Sequence, residues 1–236
     1  MKNLTWPDDY INKVLNMDCL EAMKQMPDKS VDLVLTDPPY GTTSNEWDIE
    51  LEFEPWWKEI KRITKDDRAV VIFGSQPFTT KLISSNLKDF RYCWIWDKKK
   101  SANAMLVDIQ PLKIHEDISV FSQKKHLYNP VMRQGEVRVD NKNFVPNGDN
   151  FGKDVVKRQY VNTEGLYYPK SILQFSNADQ TNKNHPTEKP VSLTSYLVQT
   201  YSNADDIVLD CFLGAGGVVV AAKQLGRNYI GIEISE

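Results

Sequence analysis

The segment Val31-Asp32-Leu33-Val34-Leu35-Thr36-Asp37-Pro38-Pro39-Tyr40-Gly41 turns from a β-branched apolar run to two prolines within a few residues. Residues 31–35 suit a buried parallel strand, because a half-solvated strand would alternate apolar and polar side chains. The prolines cannot donate to a sheet ladder and hold φ near one value, so the chain must leave the strand stiff and extended. A carboxylate, two rigid carbonyl-bearing residues and an aromatic ring are therefore expected together at a strand's C-terminal end, the edge where ligands bind in open α/β sheets. A proline turn that merely ends a strand is the plainer reading of the same residues.

The same residues also suit a sharper reading, which chemistry explains. The exocyclic amine of adenine or cytosine is a poor nucleophile because its lone pair is delocalised into the ring. Acceptors for its two N–H bonds, here the Asp37 carboxylate and the Pro38 carbonyl, would turn that lone pair toward an incoming methyl group. Tyr40 would stack on the base once it has swung out of the helix.

Outward from this segment the chain alternates strands and helices. Val14-Leu15-Asn16-Met17 is a short strand candidate, and Asp18 opens a helix whose buried face holds Leu20, Met23 and Met26. With Glu21 three residues on, Asp18 reads either as the N-cap of a capping box or as an acidic acceptor at a strand end; the two roles are compatible. Phe53–Ile63 has apolar residues at helical spacing, with Trp56 and Trp57 read as core. Ala69–Phe73 is a second buried strand, followed by Gly74-Ser75-Gln76-Pro77 and a helix over about 78–87. Tyr92–Trp96 and Ile118–Phe121 are two further strands. Such alternation implies a parallel sheet with helices on both faces. Between the last two strands, Lys98, Lys99 and Lys100 form a basic loop that is either solvated surface or a phosphate contact.

Residues 122–180 break this rhythm. They are rich in Asn, Lys, Gly and aromatic residues, among them Tyr128, Phe144, Phe151, Tyr160, Tyr167 and Tyr168, and are too long for an ordinary connection. An irregular insert that touches DNA and reads base edges is the expectation.

The chain of 236 residues carries a net charge of −3, unsuited to a protein that coats nucleic acid. The charge is uneven, however: residues 97–185 hold 14 Lys and Arg against 10 Asp and Glu, leaving 15 against 22 elsewhere, so a basic middle sits on an acidic chassis. Three widely spaced cysteines, Cys19, Cys93 and Cys211, indicate neither a disulfide framework nor a zinc site. No apolar run reaches membrane-span length and no signal-peptide pattern opens the chain, so a soluble intracellular protein without membrane partners is expected.

The last part of the chain supplies the second half of a site. His185-Pro186-Thr187-Glu188-Lys189-Pro190 precedes a helix pattern with Leu193, Tyr196, Leu197 and Thr200. Then come Ile207-Val208-Leu209-Asp210, the turn Cys211-Phe212-Leu213-Gly214-Ala215-Gly216-Gly217, a helical Val218–Leu225, and Tyr229-Ile230-Gly231-Ile232-Glu233. Strand, glycine turn, helix, strand and terminal acid suit a nucleoside cofactor, since glycines let the backbone approach closely and the acid accepts from ribose hydroxyls. A glycine turn alone also fits nicotinamide or flavin enzymes.

Taken with Asp37-Pro38-Pro39-Tyr40, the glycine turn and His-Pro-Thr-Glu-Lys-Pro in this order, the chain resembles the β-class of site-specific DNA amino-methyltransferases. Phe73-Gly74-Ser75-Gln76-Pro77-Phe78 and Trp94-Ile95-Trp96-Asp97-Lys98 are similar to a branch often encoded by phages and mobile elements. The resemblance implies one Rossmann-like α/β methyltransferase domain over residues 1–236, with a mainly parallel seven-stranded sheet, one reversed strand and a circularly permuted order. It assigns a catalytic half to 1–121, a target-recognition region to 122–180 and a cofactor-binding half to 181–236. It further implies methyl transfer from S-adenosylmethionine to adenine N6 in double-stranded DNA, in the cytoplasm of a bacterial or phage-infected cell, without a metal. Cytosine N4 methylation and a DNA- and cofactor-binding homologue without turnover are the alternatives. On this reading Asp37, Pro38, Pro39 and Tyr40 handle the base. Asp18, Asp210, Phe212, Gly214, Gly216 and Glu233 hold the cofactor, and Lys189 lies near its methionine end.

The departures from the family pattern carry expectations. Cys211, Ala215 and Gly217-Val218 stand where the family has proline, serine and threonines, so weaker cofactor binding is expected. Family members normally continue past the strand that precedes Glu236, so the cofactor flank is expected to be covered by the N-terminal arm or by a second subunit in a homodimer.

Overall fold

The computed structural model describes residues 3–41, 51–101, 104–139, 161–176 and 189–234. The polar loop at 42–48, residues 102–103, the aromatic residues Phe144, Phe151 and Tyr160, and the 185–188 part of the His-Pro-Thr-Glu motif lie outside the described residues.

The first half of the chain runs β1 (Lys13–Asn16), α1 (Cys19–Lys24), β2 (Val31–Thr36), α2 (Phe53–Ile63), β3 (Thr64–Gly74), α3 (Phe78–Ser85), β4 (Phe90–Asp97) and β5 (His115–Phe121). Residues 130–170 then group as a second compact unit, separate from the unit made of 1–129 and 171–236. Its described strands are β6 (Arg133–Gln134) paired antiparallel with β9 (Leu166–Tyr167), and β7 (Arg138–Val139) paired antiparallel with β8 (Val161–Asn162). The chain returns to the first unit with β10 (Ile172–Gln174), α4 (Val191–Tyr201), β11 (Ile207–Asp210), α5 (Gly217–Gln224) and β12 (Asn228–Glu233). Among the described residues no helix is long and apolar enough to cross a membrane.

Eight strands form the main sheet, in the order β1-β12-β11-β2-β3-β5-β4-β10. All neighbours are parallel except that β5 runs against both β3 and β4. The single reversed strand is the expected one. The strand count is one higher than expected, because the three-residue β10 extends the edge beside β4. Three residues, of which Leu173 is buried, carry too short a pattern to read as a strand in sequence.

Period-two alternation explains the layering. In β2 and β3, Val34, Val70 and Ile72 join a core with Met23, Trp56, Ile60, Phe78 and Leu82 of α1, α2 and α3; Val31 joins it out of phase, across the register shift between Val31 and Leu33. Leu33, Leu35, Val71 and Phe73 point the other way, into a core with Leu193, Leu197, Val198, Val218 and Ala221 of α4 and α5. Every residue of β2 is buried, which is why its sequence shows no alternation. Trp56 and Trp57 are core, at 0% and 5% exposure.

The order of connections fixes where a site can form. From β2 the chain crosses through α2 to β3 on one side; from β11, its neighbour, it crosses through α5 to β12 on the other. The crevice outside the C-terminal ends of β2 and β11 is thus the topological switch point of the sheet, the usual ligand position in such folds. The two strands are 170 residues apart in the chain and adjacent in the sheet, with Val208 opposite Leu33 and Leu209 opposite Val34.

Candidate active site at the switch point

Asp37-Pro38-Pro39-Tyr40 leaves β2 at this crevice, and the glycine turn leaves β11 beside it. A buried hydrogen-bond network stitches the two exits together. The Thr36 hydroxyl donates to Asp210 Oδ1 at 2.7 Å, and the Phe212 N–H reaches both Thr36 Oγ1 and Asp210 Oδ1 at 3.2 Å. Burial pushes the Asp210 carboxyl up to about 7; hydrogen bonds from Thr36 and Phe212 oppose this, and the charges of Asp37 and Glu233 add to it.

Tyr40 closes back on its own loop. Its hydroxyl donates to Asp37 Oδ1 at 2.6 Å, and its ring stacks on Phe78, centroids 4.9 Å apart and planes 28° from parallel. Phe78 opens α3 and is anchored in the core, so the α3 start fixes the ring. Burial, then the neighbouring Asp37 and Glu116 charges, hold the Tyr40 phenol well above its ordinary pKa, so it stays a donor.

The other Asp37 oxygen, Oδ2, accepts from Lys189 Nζ. Lys189 also faces Glu116 Oε2 at 3.6 Å, and Glu116 Oε1 in turn takes Lys98 Nζ. Four groups from four chain segments thus alternate in charge along the catalytic edge: Asp37, Lys189, Glu116, Lys98. Burial pulls the Lys189 pKa down, but Asp37 and Glu116 together outweigh it and leave the ammonium above its ordinary value. For Glu116, burial pushes up while Lys189 and Lys98 prevail, leaving the carboxyl below the usual range. Lys189 reaches the site because the start of α4 packs on the start of α5: Thr194 Oγ1 donates to the Gly217 carbonyl at 3.1 Å, and a Cβ on Gly217 would lie 3.3 Å from the Lys189 carbonyl. That tightness gives a physical reason for glycine at 217 where the family has threonine.

The glycine turn is built to bring backbone close. Gly214 and Gly216 have φ of +49° and +82°, the left-handed region, and a Cβ on Gly214 would meet nothing within 4 Å. The Gly214 N–H donates to Glu233 Oε2 at 2.8 Å, so the acid ending β12 also shapes the turn. Asp18 stands at the end of β1, next to β12, where it caps α1 by accepting from Glu21 N at 3.0 Å. Open glycine backbone, a half-buried Phe212 and acids at two adjacent strand ends are a donor and acceptor set that suits an adenosine-bearing cofactor.

The structure therefore brings Asp37, Pro38, Pro39 and Tyr40 to one side of the crevice and Asp210, Phe212, Gly214, Gly216 and Glu233 to the other. Lys189 sits against Asp37. In the basic loop, Lys98 is engaged with Glu116 and lies 5.1 Å over the Trp96 ring, whereas Lys99 and Lys100 are exposed. The reading of the sequence missed Thr36, Phe78 and above all Glu116. His115-Glu116-Asp117 forms the polar start of β5, and its place beside Asp37 comes from the reversed direction of that strand. An open cleft of about 380 Å³ lies beside it, lined by Ser75, Gln76, Gln110, Lys113, His115, Glu116 and Asp117.

Comparison with known proteins agrees with this geometry. Residues 31–236 match the family N6_N4_Mtase, DNA methylase. The chain is 30% identical to the type II methyltransferase M1.MboII of Moraxella bovis over 256 aligned residues, covering 95% of this chain and 92% of that one. It is 27% identical to the DNA adenine methyltransferase YhdJ of Escherichia coli K12, covering 94% and 78%. Its fold is similar to that of the cytosine-N4-specific PvuII DNA methyltransferase, with a TM-score of 0.67 at 17% identity over 94% of this chain and 82% of that one. The M1.HpyAVI–SAM complex gives a TM-score of 0.62 at 22% identity, covering 95% and 94%.

Proposed function

The chain belongs to the DNA methylase family, and from that premise we propose that it transfers a methyl group from S-adenosylmethionine to adenine N6 at a specific site in double-stranded DNA. The observation that carries the reading is Asp37 at the C-terminal end of β2, beside the glycine turn after β11. S-adenosylmethionine, when bound, supplies an electrophilic methyl on a sulfonium sulfur. Gly214, Gly216, Phe212, Glu233, Asp18 and Asp210 are the residues that would hold it, by backbone approach, ring contact and acceptance from its hydroxyl and amine groups.

The chain's own work is positioning and polarisation. Asp37 and the Pro38 carbonyl accept the two amine N–H bonds, which localises the nitrogen lone pair. Pro39 keeps the loop stiff, and Tyr40, backed on one face by Phe78, offers its other face to the flipped base. The new N–C bond would form as the methyl's bond to sulfur breaks, with the electron pair left on sulfur; the amine then carries one proton too many, and Asp37 is the adjacent group able to take it. Aspartate at the first position of the loop favours adenine, since cytosine enzymes of the resembling class more often carry serine there.

The same arrangement would polarise the cytosine N4 amine, so product analysis is the test. DNA incubated with the protein and S-adenosylmethionine, then digested to nucleosides, should contain N6-methyladenine. N4-methylcytosine alone would overturn the choice of base. No methylated nucleoside, with no heat on calorimetric titration with the cofactor, would remove the enzyme reading altogether. Asp37→Ala should lower transfer by at least about a hundredfold, the order seen when a transition-state acceptor is lost, while leaving cofactor affinity within about twofold.

A further inference from the structure

We propose that Glu116 is a positioning residue for this reaction: it draws Lys189 off Asp37 when the target amine arrives, and so opens Asp37 Oδ2 to the amine N–H. The inference rests on Asp37 being the amine's acceptor. Both Asp37 oxygens are engaged, Oδ1 by the Tyr40 hydroxyl and Oδ2 by the Lys189 ammonium. A charge-assisted hydrogen bond is about twice as strong as a neutral one, so a neutral amine does not displace the ammonium unless the ammonium has somewhere to go.

Glu116 provides that place. Its Oε2 lies 3.6 Å from Lys189 Nζ, is shut off from solvent and has no hydrogen-bond partner among the described residues. At this distance the pair is an ion contact longer than a hydrogen bond, so Oε2 keeps its capacity to accept from the ammonium. Moving the ammonium by about an ångström would bring it to ordinary hydrogen-bond distance of Oε2. Lys98 on Oε1 holds the carboxylate in place and ionised during the exchange. The Phe73 ring lies 5.2 Å from Nζ, giving the ammonium a favourable surface in both positions. Two carboxylates and two ammoniums share the cluster, so the shift changes partners without changing net charge.

The fold explains why a carboxylate is available there. β5 is the reversed strand, so its first residues, not its last, stand at the edge where β2 and β3 end. Gly74 at the end of β3 is paired with Asp117, and Glu116 is one residue closer to the crevice.

Methyl transfer measured in a single turnover with the full chain, tritiated S-adenosylmethionine at saturation and unmethylated bacterial DNA tests the proposal. Glu116→Gln should slow transfer by about ten- to a hundredfold, with cofactor affinity by calorimetry within about twofold. Lys189→Met, with the cofactor kept saturating for that variant as checked by calorimetry, should retain measurable transfer, and in that background Glu116→Gln should have less than about a twofold further effect. Equal costs of Glu116→Gln in both backgrounds, an unchanged rate, or a folded and cofactor-saturated Lys189→Met protein without any transfer would each overturn the proposal. Melting curves check folding. If Glu116→Gln does not fold, Glu116→Asp takes its place: its shorter carboxylate should slow transfer several-fold, and a wild-type rate would count against the proposal. Absence of transfer by the wild-type chain would overturn the assigned function and this inference with it, whereas wild-type transfer with additive variants overturns the inference alone.

Discussion

Asp210 shows how much a single buried carboxyl can couple. Its Oδ1 accepts from the side chain that ends β2 and from the Phe212 amide of the glycine turn, so one atom ties the two halves of the site together. Burial raises its pKa from the ordinary 3.8 to about 7, so between these values the folded chain holds a proton that the unfolded chain has lost. Stability from this group is therefore full below about pH 4, falls as pH rises, and is gone above about pH 7, a change of roughly 4 kcal/mol at most. Asp210→Asn keeps the accepting oxygen and removes the titration. Urea unfolding across this range should show the wild type losing stability relative to the variant as pH rises; parallel curves would mean that Asp210 does not titrate there.

At the scale of the element, the glycine turn between β11 and α5 is where family resemblance and physical detail part. Gly216 is the N-cap of α5 and offers no side-chain hydrogen bond to the first turn. Gly214 is a different case. Alanine there meets no atom within 4 Å, so its stability cost comes from φ of +49° alone, about 1–2 kcal/mol. If the open space beside it is the cofactor's, Gly214→Ala should lower cofactor affinity at least about tenfold, beyond what the lost stability explains; calorimetry and a melting curve on one sample separate the two. The sequence made this element legible because glycines and strand-end acids are local signals. The buried strands β2, β3, β11 and β12 were legible for the same reason, as apolar runs with abrupt ends. Residues 64–68 of β3 were not, since Lys65, Asp66, Asp67 and Arg68 carry no apolar pattern and lie in an irregularity of the ladder, between the pairs Val31–Thr64 and Leu33–Ala69, where ion pairs such as Lys65 with Asp32 at 2.7 Å hold them. Glu116 escaped for a related reason: its importance comes from strand reversal, which brings the start of β5 to Asp37, and no local residue pattern encodes that meeting.

For the whole molecule, charge is sorted by sheet edge. At the N-terminal ends of the strands, Asp32, Lys65, Arg68 and Asp206 pair with one another, with Arg68 to Asp206 at 2.9 Å, and serve cohesion. At the C-terminal ends, the Asp37–Lys189–Glu116–Lys98 series is internally balanced and presents little net charge to a polyanion. A chain of net charge −3 that acts on DNA must then draw its phosphate contacts from cations outside both clusters. Lys99 and Lys100 are such cations: they follow β4 at the catalytic edge, are exposed, and lie one and two residues beyond the engaged Lys98. Each phosphate contact on duplex DNA contributes about 0.9 to the slope of log affinity against log salt. Replacing both, Lys99→Ala with Lys100→Ala, should therefore lower that slope by about two and weaken binding to all duplexes alike, leaving sequence preference and cofactor affinity in place. Fluorescence anisotropy over a salt series with a labelled duplex reads the slope directly. An unchanged slope would place the phosphate contacts on other residues and leave the basic loop as solvated surface.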